Sequence, residues 1–331
     1  MFSDLRYCIF ISGPTASGKT GLSLELVKRV KKELGFGIQI VNIDVGQFYQ
    51  PLSVGTAKPD WRSMPVKHHL FDILDEPKDL SVIDYNRMLL DTVEKIWSDG
   101  DLPVIVGGSL FYVRSVFFTP RVSLGTNGRR DGQALRSSKS EAGWEKLNEI
   151  DPERAKEIHP NDIYRIKRAL AIWEETGKKP SESGPSFDPP FNSRIIFIDL
   201  DRKALYDRIN KRTEEMIYHE GWVDEVRKLK GTDWEKFLKE KKLIGYPEIF
   251  AWIDEGEKKE ELNALIGLIQ QKTRNYAKRQ ITFWKKFRNL LEDSRDQLGN
   301  GLLCEAETIN RVDNKEISRI IEHIANDKGK K

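Results

Sequence analysis

Cysteine is nearly absent from this chain: Cys8 and Cys304 are the only two among 331 residues. Two distant cysteines cannot build a disulfide framework, and they exclude a four-cysteine zinc module. Histidine is scarce as well, with five in all. The one adjacent pair, His68 and His69, would point to opposite faces of a strand or diverge on a helix, so it makes a poor metal site. No apolar run approaches the roughly eighteen residues needed to cross a bilayer. The apolar run at residues 7–11 is too short for a signal peptide. Together these absences predict a cytoplasmic protein with no membrane association. Charge of one sign is lacking too, since the formal net charge is only +3. A nucleic-acid partner must therefore be argued from local clustering of charge, not from the total.

What the chain does have is a complete phosphate-binding loop. Gly13, Pro14, Thr15, Ala16, Ser17, Gly18, Lys19 and Thr20 follow the apolar run 7–11, and Leu22, Leu26 and Val30 then recur at helical spacing. A strand, a glycine-rich turn and a helix bring successive backbone N–H groups and a helix N-terminus onto one anion. The two glycines permit close backbone approach. Lys19 can reach terminal phosphates, and the Thr20 hydroxyl is placed to hold Mg²⁺. The chain is expected to bind a phosphorylated ligand.

Further strands are expected at 38–43, ending on Asp44, at 102–106, running into Gly107, Gly108 and Ser109, and at 194–200. All are rich in Val and Ile and bounded by turn residues, as buried parallel strands are. With helices between them they predict an α/β fold, a P-loop NTPase-like parallel sheet covered on both faces. Ligands of such sheets bind at the C-terminal strand ends, which collects the loop, Asp44 and Gly107 to Ser109 in one cleft. The division expected is a first part of the core at 1–120, a helical insertion at 121–193, core completion at 194–292 and a peripheral helical tail at 293–331. Residues 121–143 read as a mobile loop rich in Gly, Ser and Arg. Asp151 before Pro152, and Asn161-Asp162 before a pattern ending near Gly177, predict two helices within the insertion. Beyond 200 the pattern reads as wholly helical, clearest at 203–230 and 262–291.

Three local constellations carry chemistry. Asp44, at a strand end beside the phosphate loop, can bind Mg²⁺ indirectly or take a proton from a nucleophile, or it can simply cap a turn. Gln47 and Tyr49 add polar and stacking capacity to the same loop. Arg208 and Arg212 lie one helical turn apart and can face a phosphate together, or remain a surface pair. Residues 270–289 hold Lys272, Arg274, Lys278, Arg279, Lys285, Lys286 and Arg288 with no acid. Tyr276, Phe283 and Phe287 would form the packed stripe of this helix, leaving a basic face that is either merely solvated or suited to a nucleic-acid backbone.

Taken in order, these segments resemble the tRNA dimethylallyltransferase (tRNA isopentenyltransferase) family. The matching pieces are GPTASGKT from Gly13, the D-x-x-Q-x-Y pattern from Asp44, VGTAKP from Val54 and HHLFDI from His68. They continue with DPERAKEIHPND from Asp151, RIKRAL from Arg165 and ETGKKPS from Glu175, and end with IGYPE from Ile244 and TRNYAKRQITFW from Thr273. The resemblance implies transfer of a dimethylallyl group from dimethylallyl diphosphate to the exocyclic amine of the adenosine 3′ of the anticodon in tRNA, with Mg²⁺. It implies that Asp44 is the general base and that Ser109 and Arg212, with Lys19, hold the diphosphate. Thr20 would stand on the Mg²⁺ side, and Gln47 would help read an adenine removed from its stack. Tyr164, Arg165 and Arg168 of the insertion, and Lys278, Arg279, Gln280 and Lys285 of the basic helix, would grip the anticodon stem-loop. A monomer is the simpler expectation with so large a substrate. Val45-Gly46 stands where the family usually has Ser-Met. Leu110 stands where it has a glycine, which predicts a narrowed diphosphate site. An adenylate isopentenyltransferase, a P-loop small-molecule kinase using ATP and a non-catalytic RNA-binding protein remain the competing readings.

Overall fold

The structure is a computed structural model describing residues 6–119, 140–182, 184–294 and 302–329. The expected loop at 121–143 lies mostly outside them, although a helix already begins at Ser140. The chain divides into two compact units, residues 1–116 with 189–331, and residues 117–188. The sequence reading placed the insertion at 121–193.

The larger unit is built on a six-stranded sheet in the order β3-β2-β4-β1-β7-β8. Its strands are β1 (Tyr7–Ser12), β2 (Ile38–Asn42), β3 (His68–His69), β4 (Leu102–Val106), β7 (Asn192–Ile198) and β8 (Cys304–Ile309). Every pairing is parallel. β1, β2 and nearly all of β4 and β7 are buried. Burial of both faces explains why they read as continuous apolar runs without alternation. Helices α1 (Lys19–Leu34) and α2 (Val82–Ser98) follow β1 and β3. Leu22, Leu26 and Val30 are the buried stripe of α1, as their spacing required. Helix α3 (Leu110–Phe117) follows β4. The chain leaves β4 to return on the other side of β1, so the β1 and β4 ends form the point where strand order reverses.

Two features correct the sequence reading of the C-terminal half. The expected helix over 203–230 is two helices, α7 (Arg202–Tyr218) and α8 (Trp222–Leu229), because Gly221 takes a left-handed φ of 79° between them. Beyond Glu292 the chain is not a purely helical tail: β8 adds a sixth strand beside β7, and α12 (Asn314–Gly329) buries Ile317, Ile320, Ile321 and Ile324. An ion cluster fastens this segment to the sheet. Asp327 accepts from Tyr7 Oη at 2.9 Å and from Arg194 Nη2 at 2.8 Å. Arg194 also pairs with Glu305 of β8 at 2.7 Å. Asp327 and Arg194 are both buried, so neither charge is tolerable without the other.

Between α8 and β8 lie α9 (Asp233–Lys241), α10 (Tyr246–Asp254) and the long α11 (Leu262–Asp293). The buried residues of α11 include Ala277, Gln280, Trp284, Phe287 and Leu291. Of the expected stripe Phe287 is buried, while Phe283 is only partly so: Trp284 faces the core in its place, where its ring stacks on Phe197 at 4.7 Å between centroids. Among the described residues no helix is long and apolar enough to cross a membrane.

The smaller unit holds α4 (Ser140–Ile150), α5 (Pro152–Glu157) and α6 (Ile163–Thr176), with a two-stranded antiparallel ribbon of β5 (Phe118–Thr119) and β6 (Ser186–Phe187). Asp151 caps α5 by accepting from Arg154 N, and Pro152 occupies the first turn. Asp162 caps α6 through Arg165 N, and Gly177 ends it. Both starts and the stop lie where the capping chemistry of the sequence puts them. A core of Leu147, Ala155, Ile158, Ile166 and Ala169 holds the three helices together.

Candidate active site

The phosphate loop turns between β1 and α1 with Ser17 N donating to Pro14 O at 3.2 Å. Its crest carries Ala16 in left-handed backbone, φ 62°, a conformation that persists at binding loops when surrounding structure holds it. The first N–H groups of α1 have no acceptor inside the helix, so they are available to an anion seated on the loop. Lys19 Nζ donates to Gly13 O at 3.0 Å and Pro14 O at 2.9 Å, folded back over the loop. Burial brings the Lys19 ammonium down to about 8; Asp44 opposes that fall and Arg212 adds to it. The Thr20 side chain is exposed at the start of α1.

Asp44 stands two residues beyond β2. Its Oδ1 accepts from Gly46 N at 3.3 Å and its Oδ2 from Gly108 N at 3.2 Å. Asn42 Oδ1 in turn accepts from Asp44 N at 2.9 Å. The turn-capping alternative is thus partly true: Asp44 caps the short 3₁₀ turn Val45–Phe48, and it does so while facing the loop after β4. Gly107 makes that approach possible. A Cβ there would lie 2.5 Å from the carbonyl carbon of Ile43, so only glycine lets the β2 and β4 ends close together. Ser109 Oγ accepts from Val45 N at 3.0 Å and keeps its own proton to donate. Leu110 opens α3 with its side chain buried, 4% exposed.

Three further side chains reach the same region, Arg208 and Arg212 from α7 and Tyr276 from α11. Arg212 is half-buried, with Nη2 at 3.5 Å from Ala57 O. Burial lowers it from the ordinary guanidinium range, opposed by Glu220, Asp44 and Glu215. Exposed Arg208 lies beside the phosphate loop, its Nη1 3.7 Å from where a Cβ of Gly18 would be. Tyr276 is pushed up by burial and by the charge of Asp44. Lys19, Asp44, Arg212, Ser109 and the loop are therefore brought together at the C-terminal strand ends, as the topology required.

Gln280 is placed differently from the rest of its group. It is buried, accepts from Thr15 N at 3.2 Å and donates to Gly108 O at 2.9 Å. It ties the phosphate loop to the β4 loop and is turned away from the exposed basic face of α11. Lys278, Arg279 and Lys285 do lie on that face, where Asn275, Lys278, Arg279, Thr282, Phe283 and Lys286 line an open cleft of about 470 Å³. In the smaller unit, Tyr164 is 64% exposed, and Arg165 and Arg168 share its solvent face on α6, opposite buried Ile166 and Ala169. Gln47 donates from Nε2 to Thr56 O at 3.2 Å and Ala57 O at 3.3 Å.

Sequence reasoning missed Glu225 and Tyr246. Glu225 accepts from the backbone of Ser53, Val54 and Gly55, and Tyr246 Oη donates to it at 2.7 Å. The two partners were both visible, Tyr246 in the IGYPE stretch and residues 54–59 as VGTAKP, but no spacing rule links positions about 170 residues apart.

The chain is similar to known proteins in sequence and in fold. A sequence profile of the family described as IPP transferase matches residues 47–287. A tRNA dimethylallyltransferase of Acetivibrio thermocellus is 35% identical over 298 residues, 87% of this chain and 92% of that protein. The crystal structure of a tRNA isopentenylpyrophosphate transferase from Bacillus halodurans superposes with a TM-score of 0.61 at 31% identity, covering 97% of this chain and 96% of that one. A eukaryotic dimethylallyltransferase acting on tRNA shares the fold with a TM-score of 0.76 at 24% identity, covering 97% of this chain and 80% of that one.

Proposed function

Because this chain belongs to the IPP transferase family, we propose that it transfers a dimethylallyl group from dimethylallyl diphosphate to the exocyclic amine of the adenosine 3′ of a tRNA anticodon. The observation that carries this reading is a carboxylate, Asp44, held by two backbone N–H groups within the electrostatic reach of the lysine and arginine that serve the phosphate loop. Beside a phosphate loop a carboxylate can help hold Mg²⁺ or take a proton from a nucleophile. An amine acceptor calls for the second, because it must lose a proton as it bonds to carbon.

In the reaction the amine nitrogen forms a bond to the terminal allylic carbon, and the bond from that carbon to the diphosphate oxygen breaks. The bonding pair leaves with the diphosphate, and one amine proton passes to Asp44. Lys19, the loop N–H groups, Ser109 and Arg212 receive the growing negative charge, the term that usually contributes most to catalysis. The acceptor RNA, with the tRNA anticodon stem-loop as the partner, rests on the exposed basic face of α11. The smaller unit by itself offers Tyr164, Arg165 and Arg168 as a second exposed surface for RNA. A monomeric cytoplasmic protein suits this task.

Mg²⁺ fits the donors present. The Thr20 hydroxyl is exposed at the start of α1 and would serve as one oxygen ligand. A hard cation there would take its remaining ligands from diphosphate and water, as Mg²⁺ does. It would supply charge neutralisation for the leaving group.

The test is transfer of labelled dimethylallyl from its diphosphate to unmodified tRNA, with AMP as a parallel acceptor. Label is expected on tRNA alone, is expected to vanish with EDTA, and should return with added Mg²⁺. Label on AMP would move the assignment to an adenylate-directed enzyme, and turnover of ATP with a small acceptor would move it to a kinase.

A further inference from the structure

We propose that Glu225 is a positioning residue for the acceptor side of the site, acting through the segment 53–57 on Gln47. The inference rests on the proposed transfer to adenosine and on the acceptor-side role that the family resemblance implies for Gln47.

Glu225 lies on α8, a helix that carries none of the groups assigned to the reaction. Both of its oxygens are committed. Oε2 accepts from Ser53 N and Val54 N, each at 2.7 Å, and Oε1 accepts from Gly55 N at 3.1 Å and Tyr246 Oη at 2.7 Å. A carboxylate receiving three consecutive backbone N–H groups fixes that turn as a bound anion fixes a nest. Charge-assisted bonds of this kind are about twice as strong as neutral ones. The turn is also pressed tightly against its support, since a Cβ on Gly55 would lie 2.2 Å from Trp222 Nε1 and 2.6 Å from Tyr246 Oη.

The pinned turn presents its next two carbonyls to the site. Thr56 O and Ala57 O accept the two bonds of Gln47 Nε2 at 3.2 and 3.3 Å. The Thr56 methyl backs the Asp44 turn, 3.0 Å from where a Cβ of Gly46 would be. With its Nε2 fully used, Gln47 is left with Oε1 as the atom it can offer to a base, an acceptor suited to an amine. If segment 53–57 drifts, the amide loses both carbonyls and with them its orientation. A misplacement of about 1 Å far from the chemistry can cost about 10²-fold in rate.

The experiment is a double-mutant cycle of Glu225→Gln and Gln47→Ala in the full chain. It reads kcat and KM for tRNA, the affinity for inorganic pyrophosphate and the melting temperature. Glu225→Gln keeps the side-chain shape but turns an NH₂ group towards backbone donors. Each single variant is expected to lower kcat/KM for tRNA about tenfold or more. Pyrophosphate affinity is expected to stay within about twofold of wild type, because the one contact of the segment with Arg212, Nη2 to Ala57 O, is long at 3.5 Å and Arg212 is held on α7. The double variant should be no worse than the poorer single one, because both changes remove the same interaction. Multiplying effects would overturn the proposal, as would wild-type transfer by Glu225→Gln or pyrophosphate affinity falling in step with tRNA turnover. Wild-type transfer by Gln47→Ala would instead remove the acceptor-side role of Gln47, and the relay with it. Should Glu225→Gln fail to fold, Tyr246→Phe removes one of the four donors and enters the same cycle. Its smaller loss must likewise disappear in the Gln47→Ala background, and a loss that persists there overturns the relay.

Discussion

Asp44→Ala should lower turnover by about 10²–10⁴-fold, the range lost when a positioned general base is removed, while tRNA affinity stays near wild type. The size follows from the two bonds to Asp44. Gly46 N and Gly108 N hold the carboxylate in place without protonating it, so it faces the cleft as a base. Alanine also leaves those two N–H groups without their partner. Asp44→Asn separates the two effects, because its carbonyl oxygen can still accept one of them while the group can no longer take a proton. Single-turnover rates with prebound tRNA should therefore fall by similar factors in both variants, with filter-binding affinities for tRNA little changed. Near-normal turnover by Asp44→Asn would remove Asp44 from the role of base.

The second large effect belongs to Lys19. Lys19→Met should weaken binding of dimethylallyl diphosphate about 10²-fold, in line with the loss of about 3 kcal/mol from a charged hydrogen-bonding group on a phosphate. The pH dependence gives this a sharper form. Burial holds the free Lys19 ammonium at about 8, and an anionic ligand favours the charged form, so the bound state keeps its proton to higher pH. Ligand binding must then take up a proton as pH passes 8. Affinity is level below that value and falls as pH rises above it. Calorimetric titrations in buffers of different ionisation enthalpy should show the uptake in wild type and none in Lys19→Met. A wild-type affinity flat from pH 7 to pH 10 would place the lysine elsewhere in the binding event.

Much of this site could be read from residues near one another in the chain. The phosphate loop, the strand end at Asp44, the Gly107-Gly108-Ser109 turn and the caps at Asp151 and Asp162 are all local chemistry, in which a few adjacent residues decide backbone shape. The parallel sheet followed from four apolar runs whose burial on both faces leaves no alternation. The sixth strand was hidden for the opposite reason. β8 reads CEAETI, with Glu305 and Glu307 on an edge strand, and their charges are answered by Arg194 and Arg319 from elsewhere in the chain. Nothing within the strand announces that pairing.

The same limit applied to α11. A helical stripe can be drawn through Tyr276 or through Trp284, and only the position of Phe197 on β7 decides between them. Gln280 sat inside a basic segment and shared its assignment until the structure placed its amide between Thr15 and Gly108. Glu225 shows the rule most plainly. A lone glutamate in an amphipathic helix is ordinarily a solvated charge, and its meaning comes only from three backbone N–H groups far away in the sequence.

The measurement closest to the central claim uses a tRNA in which the adenosine 3′ of the anticodon is replaced by inosine, whose oxygen stands where the amine was. With dimethylallyl diphosphate, Mg²⁺ and the wild-type protein, label should enter the adenosine tRNA and be absent from the inosine tRNA, while both compete equally for binding. Equal labelling of the two would contradict transfer to the exocyclic amine.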